Sequence, residues 1–148
     1  MYDVIIIGAG PAGISAGLYA KRANLNVLII YKEQAGLEKA EQIENYYGFE
    51  NGITGKELYE TGIRQAQNLG IDIKREEVIN IQMEEKNEYK IITENGTYIS
   101  RTVIFATGNK KNVPKIKGIK DFEGRGVSYC AVCDGFFYRN KDISVLGN

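Results

Sequence analysis

The sequence predicts an α/β fold: a parallel sheet begun by a βαβ unit, with an antiparallel β-meander inserted into it. Three features predict this. The apolar run Tyr2 to Ile7 leads straight into Gly8-Ala9-Gly10-Pro11-Ala12-Gly13, then a helical stretch, then a second apolar run. Strand, glycine turn, helix and strand within about 30 residues make a βαβ unit, whose strands are parallel. Further along, short strand-like runs follow one another with Asn95-Gly96 between two of them, the strongest short hairpin signal. A later apolar run, Thr102 to Ala106, returns to the first pattern.

Each element has its own local justification. Tyr2 to Ile7 is apolar and β-branched without alternation, which suits a strand covered on both faces. Ile14 to Ala23 reads as a helix and Asn26 to Tyr31 as the second strand. Residues 32–54 are irregular and polar, with Tyr46-Tyr47-Gly48-Phe49 inside; a loop this long in a compact domain is usually functional. Thr54-Gly55-Lys56-Glu57 is a capping box opening a helix with Leu58, Ile63, Ala66 and Leu69 on one face, and Gly70 stands where a C′ glycine ends it. Glu77 to Met83, Glu88 to Thr93 and Thr97 to Ser100 form the meander, and Thr102 to Ala106 is a separate strand closed by Thr107-Gly108. Residues 109–126 read as a basic linker with one proline, Pro114, and Ile143 to Leu146 as a last strand. The expected division is 1–112 and 113–148.

A chain of 148 residues suits one ordinary domain with a real core. Lys plus Arg and Asp plus Glu both number 19, so the formal net charge is zero. That balance gives no support for a nucleic-acid or acidic-membrane partner. The start Met1-Tyr2-Asp3 lacks a basic signal region, and no apolar run approaches bilayer length. The expected location is cytoplasmic. The absence of histidine excludes Ser-His-Asp triads and His-ligated metal sites together. Two cysteines, Cys130 and Cys133, exclude a disulfide scaffold.

Two motifs carry chemistry. In the glycine turn, Gly8 permits the tight exit from the strand, Gly10 lets the backbone approach a pyrophosphate, and Gly13 lets helix and strand pack closely. The helix N-terminus offers unpaired N–H groups to the phosphates. An acid about 20 residues on normally holds a ribose hydroxyl; Tyr31 occupies that place and Glu33 follows it. Glu33 is either a ribose ligand or a solvated loop charge. The second motif is Cys130-Ala131-Val132-Cys133, followed by Asp134-Gly135. Three readings stand: a redox dithiol, two inert thiols, or half of a zinc site shared between two chains, since a structural zinc needs four ligands. The redox reading is favoured because a CxxC thiol usually has a lowered pKa. Asp134 is then a proton relay, a helix N-cap, or both.

At these residues the chain resembles the low-molecular-weight thioredoxin reductases. The resemblance runs in order through Gly8 to Gly13 (GAGPAG), Ala20 to Leu25 (AKRANL), Glu44-Asn45 with Gly48, Ala106-Thr107-Gly108, and Gly124 to Tyr138 (GRGVSYCAVCDGFFY). The last piece is nearly diagnostic of that family. The resemblance implies a Rossmann-like FAD-binding domain and the start of a second nucleotide-binding domain. It implies that Gly8, Gly10, Pro11, Ala12 and Gly13 hold the FAD pyrophosphate. Asn45, Ala106, Thr107 and Gly108 then line the flavin side, and Val78 meets the adenine through its backbone. Cys133 faces the flavin, Cys130 attacks the partner's disulfide, and Asp134 is the acid. The implied partner is thioredoxin or a similar disulfide protein, with a homodimer at full length. Reductase activity on a peroxiredoxin or small disulfide is the alternative, as is a flavin-binding module without turnover.

The sequence departs from the family in two places. A Gly-Gly-Gln-Leu-Thr-Thr stretch that touches the flavin is replaced by Ala35-Gly36-Leu37-Glu38-Lys39-Ala40. Some clostridial relatives depart similarly and are thought to use ferredoxin, so the implied donor is NADPH or ferredoxin. Gly147-Asn148 stands where a second glycine-rich turn begins, so the chain alone is expected to form no NADPH site.

Overall fold

The computed structural model describes residues 1–32, 36–109 and 113–146. The chain divides into two compact units, Met1–Asn109 and Lys110–Asn148.

Among its described residues the first unit is a six-stranded sheet with two α-helices. In chain order it runs β1 (Tyr2–Ile7), α1 (Pro11–Arg22), β2 (Val27–Tyr31), α2 (Gly55–Asn68), β3 (Asp72–Arg75), β4 (Val78–Glu84), β5 (Glu88–Thr93) and β6 (Thr97–Phe105). The strand order is β3-β2-β1-β6-β5-β4. Strands β3, β2, β1 and β6 are parallel, and β6, β5 and β4 are antiparallel. A parallel half and a meander therefore share one sheet, and β6 belongs to both. Two strands expected separately, Thr97 to Ser100 and Thr102 to Ala106, are this single strand. The polar Ser100-Arg101 pair hides the continuity. Ser100 is fully buried, and its Oγ is 2.7 Å from the Thr102 carbonyl oxygen and 3.3 Å from the Thr102 N–H.

Apolar side chains of β1 and β2 alternate between two cores. Val4, Ile6, Val27 and Ile29 face Ile14, Tyr59 and Ala66 of the helices. Ile5, Leu28 and Ile30 pack with Ile91 of β5 and with Val78 and Ile81 of β4. The continuous apolar runs of β1 and β2 are thus covered on both faces, as a buried parallel strand requires. The capping box of α2 forms: Glu57 N–H donates to Thr54 Oγ1 at 3.2 Å and Thr54 N–H to Glu57 Oε2 at 3.3 Å. Leu58 and Ala66 are buried on its inner face, whereas Leu69 at the C-cap is exposed.

At the starts of β1 and β3, the Tyr2 hydroxyl donates to Asp72 Oδ2 at 3.0 Å. Burial, and then that hydrogen bond to the carboxylate, push the Tyr2 pKa from 10.0 up to about 12. The folded chain therefore holds this proton more tightly than the unfolded one. The stabilisation is complete below about pH 10 and is lost as pH rises toward about 12. A Tyr2→Phe variant is expected to lose stability less steeply with pH across that window, read from denaturant midpoints below and within it. An unchanged slope would show that the Asp72 contact contributes nothing to the alkaline transition.

In the second unit, a 3₁₀ turn at Ile119–Phe122 buries Ile119. A four-residue helix, α3 (Ala131–Asp134), runs into a 3₁₀ turn at Gly135–Tyr138. No strand forms over Ile143 to Leu146, contrary to expectation. Ile143, Val145 and Leu146 are exposed, and among the described residues no strand pairs with them. An apolar run becomes a strand only when a neighbour takes its backbone groups.

Candidate functional site

The first candidate site is the turn between β1 and α1. Gly8 has a φ of +114°, and its N–H donates to the Ile30 carbonyl at 2.8 Å. A Cβ on Gly8 would lie 2.1 Å from the Ala106 carbonyl oxygen, and one on Gly13 only 1.9 Å from the Gly8 carbonyl oxygen. Both glycines are demanded by the close approach of β1, α1 and the end of β6. Gly10 differs: its φ of −72° and ψ of 179° suit any residue, and a Cβ there would meet nothing within 4 Å. The fold alone does not explain this glycine, whereas open space in front of it admits a ligand.

Gly10 is also the N-cap of α1, with Pro11 in the first turn and no side-chain cap. The Gly10 carbonyl accepts from Ile14 N–H at 2.9 Å. Ala12 and Gly13 then occupy positions whose N–H groups have no acceptor inside the helix. Two donors at the positive end of a helix, before an uncrowded glycine, suit a pyrophosphate. Ala106 lies beside the turn, its N–H bonded to the Ile7 carbonyl at 2.8 Å, and Thr107 and Gly108 follow it exposed. The predicted residues Gly8, Gly10, Pro11, Ala12, Gly13 and Ala106 are thus brought together.

The other predicted residues of this unit are placed less closely. Asn45 is exposed in the loop closed by a bridge between Ile43 and Ile53. Val78 opens β4 opposite Thr93, at a register irregularity between Val78 and Asn80. Glu33 lies outside the described residues, as does Ala35 of the divergent segment. Tyr46 and Phe49 of the long loop join Pro11, Ile14, Leu58 and Tyr59 around a cleft of about 200 Å³. One buried carboxylate escaped sequence reasoning. Glu76 accepts from Thr93 Oγ1 at 2.6 Å and from the Tyr98 hydroxyl at 2.9 Å. Burial and Glu76 together raise the Tyr98 pKa. These partners are 17 and 22 residues away, beyond any local pattern.

The second candidate site is the turn around Cys130, which is disulfide-bonded. The side chain of Cys133 lies outside the described residues. Asp134 N–H donates to the Cys130 carbonyl at 3.0 Å, closing one helical turn. Asp134 stands at the N-cap of the Gly135–Tyr138 turn but makes no side-chain cap bond there. Its carboxylate instead accepts from the Ser128 hydroxyl at 2.5 Å. The same hydroxyl accepts from Cys130 N–H at 3.1 Å. Sequence reasoning assigned Ser128 no role; the available signal was a serine two residues before the first cysteine, the spacing of a Ser turn. Among the described residues no cluster of His, Cys, Asp or Glu could hold a metal ion. No helix among them is long and apolar enough to cross a membrane.

A family model described as pyridine nucleotide-disulphide oxidoreductase matches residues 2–148. The chain is 44% identical over 151 residues to a thioredoxin reductase of Ureaplasma parvum, covering 100% of this chain and 48% of that one. It is 45% identical over 148 residues to a thioredoxin reductase of Treponema pallidum, covering 99% and 48%. Among solved structures, a thioredoxin reductase from Streptococcus pyogenes matches with a TM-score of 0.82 and 40% identity, over 94% of this chain and 45% of that one. The chain spans about half the length of these relatives.

Proposed function

The chain belongs to the pyridine nucleotide-disulphide oxidoreductase family, and from that membership we propose that it is part of a flavin-dependent reductase of a protein disulfide, thioredoxin first among substrates. The observation that carries the proposal is Cys130, disulfide-bonded in a turn whose serine binds the carboxylate of Asp134. The names of the Ureaplasma and Treponema relatives support the choice of thioredoxin.

In this reading Gly10, Pro11, Ala12 and Gly13 hold the pyrophosphate of FAD, with Gly8 shaping the turn and Ala106, Thr107, Gly108 and Asn45 on the flavin side. The Val78 backbone meets the adenine, and Glu33 is a candidate for the ribose. When bound, FAD supplies the two-electron carrier that keeps the dithiol reduced. The Cys130 thiolate attacks one sulfur of the partner's disulfide, forming a mixed disulfide and releasing the other sulfur. Cys133 then attacks the Cys130 sulfur, closing the protein's own disulfide and freeing the partner as a dithiol. The partner gains two electrons and the two protons of the protein's thiols, with Asp134 passing a proton to a departing thiolate. Residues 1–112 form the FAD-binding part, and 113–148 carry the CxxC and lead into an NADPH-type domain. The protein works in the cytoplasm as a homodimer, with NADPH as donor.

The test uses the full-length protein carrying this sequence. It is expected to copurify with FAD and to oxidise NADPH when oxidised thioredoxin is present. Turnover with reduced ferredoxin and none with NADPH would replace the donor. Turnover of a peroxiredoxin or small disulfide but not thioredoxin would replace the substrate. Bound FAD with no turnover under any donor would reduce the protein to a flavin-binding module.

A further inference from the structure

We propose that Ser128 is a positioning residue for disulfide exchange, its one hydroxyl fixing both the Asp134 carboxylate and the start of the cysteine turn. The inference rests on the reading of Cys130 and Cys133 as the exchanging dithiol and of Asp134 as its acid.

A serine hydroxyl has one proton to donate and two lone pairs. Its distance of 2.5 Å to Asp134 Oδ2 is that of a charge-assisted O–H···O⁻ bond, so the proton is committed there. A lone pair accepts Cys130 N–H at 3.1 Å. The longer contact from Ser128 Oγ to the Cys130 carbonyl, at 3.4 Å, competes weakly for the same proton. Asp134 N–H returns to that carbonyl at 3.0 Å. A closed ring therefore joins Ser128, Cys130 and Asp134. Asp134 sits at the end of a four-residue helix and makes no cap bond of its own. Ser128 holds one carboxylate oxygen and leaves the other for proton transfer.

A merely structural serine and a positioning serine are separated by a double-mutant cycle. The full-length protein, pre-reduced and freed of reductant, is mixed with oxidised thioredoxin, and the single-turnover rate is followed in wild type, Ser128→Ala, Asp134→Asn and the double variant. Ser128→Ala is expected to slow exchange by about tenfold, part of the roughly hundredfold or greater contribution of a placed acid. In the Asp134→Asn background, where only the Cys130 N–H contact remains to be lost, the same change is expected to cost clearly less than in the wild-type background. Ser128→Thr is expected to restore the rate and Ser128→Val, equal in shape but without the hydroxyl, to fail; this pair serves if the alanine variant does not fold. An equal loss in both backgrounds, or no loss, overturns the proposal. An inert Asp134→Asn refutes the acid reading instead, and the positioning role with it. Absence of exchange in the wild type refutes the dithiol reading, and the positioning role falls with it.

Discussion

A Gly10→Val variant is expected to fold and to lose its FAD. The backbone at Gly10 is extended and its Cβ position is empty for 4 Å, so a side chain costs the apo fold little beyond a poorer N-cap, about 1 kcal/mol. That same side chain occupies the approach to the N–H groups of Ala12 and Gly13. Losing two charge-assisted hydrogen bonds at roughly 1.5–3 kcal/mol each predicts an affinity lower by about a hundredfold or more. Gly13→Ala makes the opposite control. Its Cβ would lie 1.9 Å from the Gly8 carbonyl oxygen and 3.3 Å from Ala106 Cβ, so this variant is expected to lose stability first and flavin as a consequence. Flavin fluorescence on denaturation gives occupancy, and thermal melting of the apo protein gives stability. Retention of FAD within about threefold by a folded Gly10→Val protein, about 0.6 kcal/mol, would show that the turn holds no pyrophosphate.

The contrast between these glycines also marks how far sequence reading reaches. The pattern Gly8 to Gly13 is local, and so is everything it specifies: the exit from β1, the start of α1 and its packing on the strand. The Thr54–Glu57 box and the buried face of α2 were legible for the same reason. Elements defined by distant partners were not. Asp72-Ile73-Lys74-Arg75 contains one apolar residue and shows no alternation worth reading, yet it forms β3 because β2 presents a free parallel edge. Thr97 to Phe105 reads as two strands because Ser100-Arg101 is polar. Opposite Ser100 stand Tyr2 and Tyr89, and their pairing keeps the strand continuous.

The site divides similarly. The glycine turn and CxxC announce themselves through spacing. Ser128 does not, because a serine is common and its bond to Asp134 crosses six residues through a turn too short to show a period. Glu76 reads as a surface charge until Thr93 and Tyr98 arrive from the meander to hold it. A buried carboxylate is tolerated because two hydroxyl donors replace its water, and both donors lie 17 and 22 residues from it, outside any local pattern.

The last expected result divides the labour of the two cysteines. In the full-length protein, Cys130→Ser and Cys133→Ser are each expected to lower protein-disulfide reduction by more than roughly a thousandfold, as removal of a nucleophile does. Rates alone cannot say which sulfur meets the partner. A trapping experiment can. With Cys133→Ser, the Cys130 thiolate still attacks oxidised thioredoxin, and the mixed disulfide persists because its resolving sulfur is gone. Non-reducing electrophoresis should then show a covalent one-to-one adduct that a thiol reductant removes. With Cys130→Ser no adduct is expected, because the sulfur that meets the partner is absent. An adduct formed by Cys130→Ser in place of Cys133→Ser would reverse the two roles while leaving the dithiol intact. Full activity in both single variants would remove the dithiol from the reaction altogether, and with it the meaning of the Ser128–Asp134 bond that braces this turn.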